Sequence, residues 1–281
     1  MALYINTNVA SINAQRQLTK STGALTQTFQ RLSSGYRINS AKDDAAGLAI
    51  SQRMTAQVRG LNQAIRNAND GISVVQVAEG ALDETTNAMQ RIRELAVQAS
   101  NDTYNLTDRS SLQKEVDQLL SEIQRIASTT HFNNQNLLDG TYTSKYFQIG
   151  MFAGQRLRVS IGAATTTNLL GNMTTASMST LITNVSNAQG ALAKIDTALN
   201  SVADLRANLG AVQNRFESIV ANLANVVEST SASRARITDA DIAYETANLT
   251  RNTILQQAGT AVLAQANQQP QIALQLLGGA R

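Results

Sequence analysis

Few residues in this chain are equipped for chemistry. It has no Cys and a single His, His131. A thiolate nucleophile, a disulfide framework and a thiolate metal site are therefore excluded, and a histidine metal cage is nearly so. His131 has no second His beside it and reads as a turn residue next to Phe132. The acidic pairs worth weighing are Asp43 with Asp44 and Asp239 with Asp241. Paired carboxylates can hold a cation, but each pair stands where a helix begins, and there Asp is stabilised by free amides and the helix dipole. Gly278 and Gly279 have no helix after them and do not make a phosphate loop. The sequence is therefore expected to be no enzyme and to use no cofactor and no metal.

The elements that would position any site are helices. Met54, Val58, Leu61, Ile65, Ala68, Ile72, Val75, Glu79, Leu82, Thr86 and Met89 recur at alternating spacings of four and three, the 3.5-residue period of a coiled-coil seam. Val202, Leu205, Leu209, Val212, Phe216, Ile219, Leu223 and Val226 form a second seam. Leu192, Ile195 and Leu199 precede it with a phase slip near Val202. A shorter run is Leu112, Val116, Leu119, Ile123 and Ile126. Ser40 with Asp43 predicts a capping box opening the first long helix, and Thr238 with Asp241 predicts another before the last one. Gly60, Gly71 and Gly80 lie inside the first long helix at a cost of about 1 kcal/mol each relative to Ala, so bundle packing must stabilise it.

Between Tyr142 and Gly162 the period changes to two. Phe147, Ile149 and Met151, then Leu157, Val159 and Ile161, alternate with polar or small residues around a turn at 152–155, which predicts one β-hairpin. Residues 163–180 are small and rich in Ser and Thr and read as an exposed connector. Weaker seams recur at the ends, at Leu18, Leu25, Phe29 and Leu32 and at Ile242, Leu249, Leu255 and Val262, with Pro270 expected to stop or kink the last helix. The predicted fold is mainly α: a long coiled-coil helical bundle with one β-hairpin, its terminal helices pairing as a coiled coil.

Composition agrees. Aromatics are 4% of the 281 residues, so the core must come from small aliphatics. Charged residues are 15%, against roughly 25% in an ordinary soluble domain, while Ser, Thr, Asn and Gln number 100. The scarcity of charge is concentrated at the ends: residues 1–41 contain no acid, and Arg281 is the only charge after Arg251. A net charge of +3 with dispersed Lys and Arg does not argue for nucleic acid. A basic coiled coil binding nucleic acid would show steep salt dependence. No basic leader followed by an apolar run opens the chain, and no stretch approaches the roughly 18 apolar residues of a membrane span.

Four segments carry a resemblance: INTNVASINAQRQL at 5–18, RLSSGYRINSAKDDAAGLAI at 31–50, SRARITDADIAYE at 233–245 and ILQQAGTAVLAQANQQP at 254–270. Together they resemble bacterial flagellin, over roughly residues 1–140 and 188–277, in a short form lacking large outer variable domains. The resemblance implies a structural subunit that self-assembles into the flagellar filament used for motility. It implies export of the unfolded chain through the flagellar type III apparatus to an extracellular location. The alternative within the same class is a flagellar hook–filament junction protein, which the continuous match through Val58 to Ala99 disfavours.

The resemblance also implies an organisation. Residues 1–41 would be an N-terminal filament-core helix, disordered in the monomer, and 42–140 the N-terminal part of the bundle. Residues 141–187 would be hairpin and exposed connector, 188–237 the return helix, and 238–281 the C-terminal filament-core helix. Ser34, Gly35, Asp43 and Asp44 fall at the joint between the two layers. Arg91, Leu95 and Glu115 match the residues through which some flagellins meet Toll-like receptor 5. Thr165, Thr166, Thr167, Thr174, Thr175, Ser177, Ser179 and Thr180 are candidate O-glycosylation positions, since flagellins often carry sugars on their outer surface. The implied partners are further copies of the chain, an export chaperone, and hook-associated junction and cap proteins, with no nucleic acid and no membrane.

Overall fold

The computed structural model describes residues 7–171 and 180–278, with side chains described through residue 269. The elements in order are α1 (Val9–Ser34), α2 (Ala45–Ala99), α3 (Leu106–Thr129), β1 (His131–Phe132), β2 (Gln135–Asn136), β3 (Lys145–Gln148), β4 (Arg156–Val159), α4 (Thr166–Leu169), α5 (Val185–Thr238) and α6 (Ile242–Gly278). They divide into two units. One holds the residues up to Ala56 together with those from Ser229 onward, and the other holds Gln57–Glu228.

The 57–228 unit is the predicted bundle, with its seams turned. On α2 a buried stripe runs through Leu61, Ala64, Ala68, Gly71, Val75, Ala78, Leu82, Thr85, Met89, Ile92, Ala96 and Ala99 at strictly alternating spacings of three and four, with Val74 and Leu95 buried beside it. The expected Ile65, Ile72, Glu79 and Thr86 are only half-buried beside them. The face that wins is the one with the smaller side chains, because α2 lies against α3, α5 and the hairpin and small residues let several elements approach one stripe.

The same reasoning corrects α5. Ala188, Ala191, Ile195, Ala198 and Val202 are buried and run in phase into Leu205, Leu209, Val212, Phe216, Ile219 and Leu223, so the expected slip near Val202 does not exist. Alanines carry the seam where larger aliphatics suggested a break. On α3 the buried stripe is Arg109, Gln113, Val116, Leu120, Ile123 and Ala127.

Phe216 is the largest fully buried side chain of this unit. It meets Phe147 edge-on, with ring centroids 5.5 Å apart at 84°. Gly71 faces it from α2, and a Cβ there would come within 2.5 Å of the ring. Gly71 is thus a socket for an aromatic rather than only a weak point in a helix. The predicted hairpin forms with Phe147 paired to Leu157 and Tyr146 to Arg158. A second, smaller hairpin pairs His131–Phe132 with Gln135–Asn136. Its central residues Asn133 and Asn134 both have positive φ, at 45° and 61°. Asn tolerates that conformation well, which makes Asn-Asn a legible turn signal that the sequence reading passed over.

The caps that open two helices lie three or four residues beyond the expected ones. Asp44, not Ser40, caps α2: its Oδ1 accepts from the Gly47 amide at 2.8 Å. Asp241, not Thr238, caps α6, accepting from the amides of Ala243 and Tyr244, while Thr238 is the last residue of α5. In both places Asp outcompetes the hydroxyl residue because a carboxylate also gains from the helix dipole. Helix α6 continues through Pro270 to Gly278. The missing N–H removes a single hydrogen bond, and the backbone on either side stays helical.

Candidate assembly interface

In the unit that holds both ends of the chain, α1 and α6 run antiparallel. Asn8 Nδ2 donates to the Ala266 carbonyl at 2.7 Å and Ser11 Oγ to Asn267 Oδ1 at 2.7 Å. Leu18 packs beside Gly259, and Arg31 Nη1 lies 3.1 Å from Glu245 Oε1. The expected terminal pairing is therefore present. It buries little: the buried residues of α1 are Ser11 and Thr28, and those of the described part of α6 are Glu245 and Ala266. Meanwhile Val9, Ile12, Phe29, Ile254, Leu255 and Val262 are each at least half exposed. Two helices that expose their large aliphatics and bury mostly polar or small groups are marginal alone.

The turns at one end of this pair are locked together. Gly35 closes α1 with φ +73°, a left-handed conformation natural to Gly. Its carbonyl accepts from the Ala240 amide at 2.9 Å, and the Arg37 amide donates to the Thr238 carbonyl at 2.7 Å. Ser34 Oγ accepts from Tyr36 N at 3.1 Å and Asn39 Nδ2 at 2.8 Å. Asp43 folds back to accept from the amides of Asn39 and Ser40, the Ser40 hydroxyl and Gln27 Nε2. The Ser40 amide and hydroxyl, ahead of Gln27 and Asn39, hold its carboxyl below the ordinary carboxylate value. The oxygens of Asp43 and Asp44 are thus occupied by local donors, as are Asp239, which accepts from the Thr238 hydroxyl, and Asp241. Among the described residues no cluster of His, Cys, Asp or Glu has the makings of a metal site, and His131 places Nδ1 2.6 Å from the Thr129 carbonyl.

In the 57–228 unit, Arg91 and Glu115 are brought together at 2.9 Å across α2 and α3, and Arg91 also bonds Glu94 at 2.9 Å. Leu95 does not join them on the surface. It is 1% exposed: one turn beyond Arg91 the helix face turns into the core.

The connector also departs from expectation. Ala164, Thr166, Leu169 and Leu170 are buried and anchor it. Thr166 donates its hydroxyl to Gln124 Oε1 at 2.9 Å and is not outward-facing, and Thr165 spends its hydroxyl oxygen on the Asn168 amide. Thr167 and Thr180 are exposed, while Thr174, Thr175, Ser177 and Ser179 lie outside the described residues.

Three features were missed by the sequence reading. Gln113 Oε1 accepts from the Ile182 amide at 2.8 Å, so α3 holds both ends of the connector through Gln113 and Gln124. Arg109 is buried and donates to the carbonyls of Ala99 and Asn101 where α2 ends. The third is the Arg31–Glu245 pair. Its only sequence signal is that Glu245 is the last acid in the chain, opposite an N-terminal segment with none.

A helical bundle in one unit, together with a charge-poor helix pair in the other whose aliphatics are uncovered, defines a structural subunit built to polymerise. Two family models match the chain, the bacterial flagellin N-terminal helical region over residues 5–143 and the C-terminal helical region over residues 192–277. A flagellin of Halalkalibacterium halodurans is 47% identical over 98% of this chain and all of its own length. Flagellin B of Vibrio cholerae is 38% identical over 99% of this chain and all of its own length, in an alignment of 378 positions. The crystal structure of Bacillus cereus flagellin is 32% identical, covers 56% of this chain and 88% of that one, and has a TM-score of 0.48.

The chain belongs to the bacterial flagellin family. It is a short form without a large variable domain, and it is a subunit of the flagellar filament, the extracellular appendage of motility. Nothing in the matches favours the junction-protein reading. No helix among the described residues is long and apolar enough to cross a membrane.

Proposed function

We propose that polymerisation proceeds through the terminal helices, residues 1–41 and 238–281, which order against other copies as the filament core. In this reading residues 42–140 and 188–237 form the surrounding shell, 141–187 the hairpin and connector, and Ser34, Gly35, Asp43 and Asp44 the joint. The observation that carries it is the row of uncovered aliphatics on α1 and α6 beside so little charge. Apolar surface of that extent is covered in the working state. Deleting residues 1–30 is expected to abolish filaments in electron micrographs while the remaining bundle keeps its cooperative melt. Normal filaments from the truncated chain would refute the proposal.

The finer assignments follow family resemblance. The chain is exported unfolded through the flagellar type III apparatus, is held before export by a chaperone, and meets junction and cap proteins at the filament ends. It performs no catalysis. Toll-like receptor 5 recognition would use the exposed Arg91–Glu115 pair, with Leu95 supporting it from beneath. Receptor signalling that is unchanged by Arg91→Ala with Glu115→Ala rejects this. Sugars on the connector fall to Thr167 and Thr180, with Thr174, Thr175, Ser177 and Ser179 as the other candidates. An intact mass of native protein equal to the sequence mass rejects them.

A further inference from the structure

Within residues 57–228, two features far apart on the unit are both apolar at their centres and opposite in charge at their edges. The first is a groove of about 650 Å³ between α2, the β3–β4 turn and α5. Leu61, Ile149, Met151, Ile219 and Leu223 line it, and the exposed Arg156 and Arg215 stand beside them. Between Asp139 and Asp196 the chain contains no acid, so the hairpin supplies positive charge and no counter-charge of its own. Arg156 rests on the Tyr146 ring at 4.5 Å. Glu217, nearby on α5, is engaged by Gln213 at 3.1 Å.

The second feature is the corner where α2 turns into α3. Leu106, at 72%, is the most exposed large hydrophobic among the described residues, and Val97 is 51% exposed on the preceding helix. Asp102, with a side chain 93% exposed, and the exposed Asp108 flank Leu106. The nearby cation, Arg109, is turned inward to the carbonyls of Ala99 and Asn101 and is 3.9 Å from Asp102. Asn105 and Asp108 cap α3 reciprocally. The corner therefore presents a fixed leucine between two carboxylates, organised before any partner arrives.

Groove and corner are about 57 Å apart along α2, from Leu61 to Ala99. No subunit can seat its own corner in its own groove. A knob and a socket at different places on one chain make a head-to-tail contact, which builds an open polymer wherever its rotation does not close into a ring.

We infer that the Leu106 corner of one copy seats in the Leu61–Leu223 groove of the next, with Asp102 and Asp108 facing Arg156 and Arg215. The inference rests on the filament-subunit reading and assigns one contact within it.

The absence of Cys gives a clean test. A full chain carrying Leu106→Cys and Asn222→Cys, polymerised and treated with a short bis-maleimide, is expected to give a ladder of dimers, trimers and higher species on a denaturing gel. Each single-cysteine chain should give none. Filaments of the double-cysteine chain without a ladder overturn the inference. A double-cysteine chain that melts normally but does not polymerise, while the Asn222→Cys chain does, supports it, because Leu106 is then required. Independently, Asp102→Arg is expected to raise the critical concentration for polymerisation about tenfold and Arg215→Asp on the same chain to restore it. No rise, or no restoration, counts against the contact. Failure of the unmodified chain to polymerise under the same conditions would fall on the filament reading itself.

Discussion

Arg31 and Glu245 form the ion pair between α1 and α6 among the described residues, and the pair is nearly dry: the Glu245 side chain is 5% exposed and that of Arg31 25%. Arg31 Nε is buried without a partner, so the guanidinium is already only partly satisfied. Removing the carboxylate leaves a desolvated cation. Glu245→Ala is expected to cost about 2–3 kcal/mol, below the roughly 3–5 of a wholly buried pair because Arg31 still touches solvent. Amide hydrogen exchange along α1 and α6 is the measurement that resolves it.

Asp43 sets a pH dependence. Its carboxyl is held below the ordinary value of 3.8 by the Ser40 amide and hydroxyl, with Gln27 and Asn39 contributing. A depressed carboxylate contributes its stability above the unfolded value, and the contribution is lost as pH falls through the folded one. The 37–44 turn is therefore expected to loosen below about pH 4, read as loss of protection at the Ser40 amide. In Asp43→Asn that acid step should be absent.

At the scale of elements, the heptad period was legible and the face was not. Periodicity in sequence reports that one stripe is buried, but the large aliphatics on either side of a stripe compete for the assignment. On α2 the stripe contains Ala64, Gly71, Ala78 and Thr85, which look unremarkable until three neighbouring elements need room at once. Gly71 shows the consequence, since the space it leaves is filled by Phe216. Phe216→Ala should empty the junction of α2, α5 and the hairpin and cost about 3–5 kcal/mol in urea unfolding. Gly71→Leu should also destabilise the unit, by about 1–3 kcal/mol of overpacking, despite the better helix propensity of Leu. If Gly71→Leu proved stabilising, the socket would have been misassigned.

For the whole molecule, the two units solve the burial problem differently. Residues 57–228 enclose a large core and a smaller cluster around Leu61, Ala64 and Leu223, whereas the terminal helices cover few of their own aliphatics. A charge placed on the exposed terminal face should leave the monomer untouched and damage the polymer. Ile254→Asp, at a position 59% exposed, is expected to give an unchanged monomer circular dichroism spectrum and a critical concentration raised about tenfold or more. Sedimentation across a concentration series measures it. An unchanged critical concentration would remove α6 residue 254 from the assembly surface.

The sequence by itself determined the class of fold and the kind of function. Long seams, one hairpin, charge-poor ends and the lack of reactive side chains require neither an alignment nor coordinates to be read, because each is a local or compositional property. It also located the helix breaks to within a few residues, though not which of two residues three or four positions apart caps the start of each helix. Only the tertiary structure decided which face of each helix is buried, that Leu95 and Thr166 are interior, that Gln113 and Gln124 hold the connector, and that Arg31 finds Glu245. All of these depend on contacts between segments distant in the chain, and the partner of a side chain across such a distance is set by the packing of whole elements.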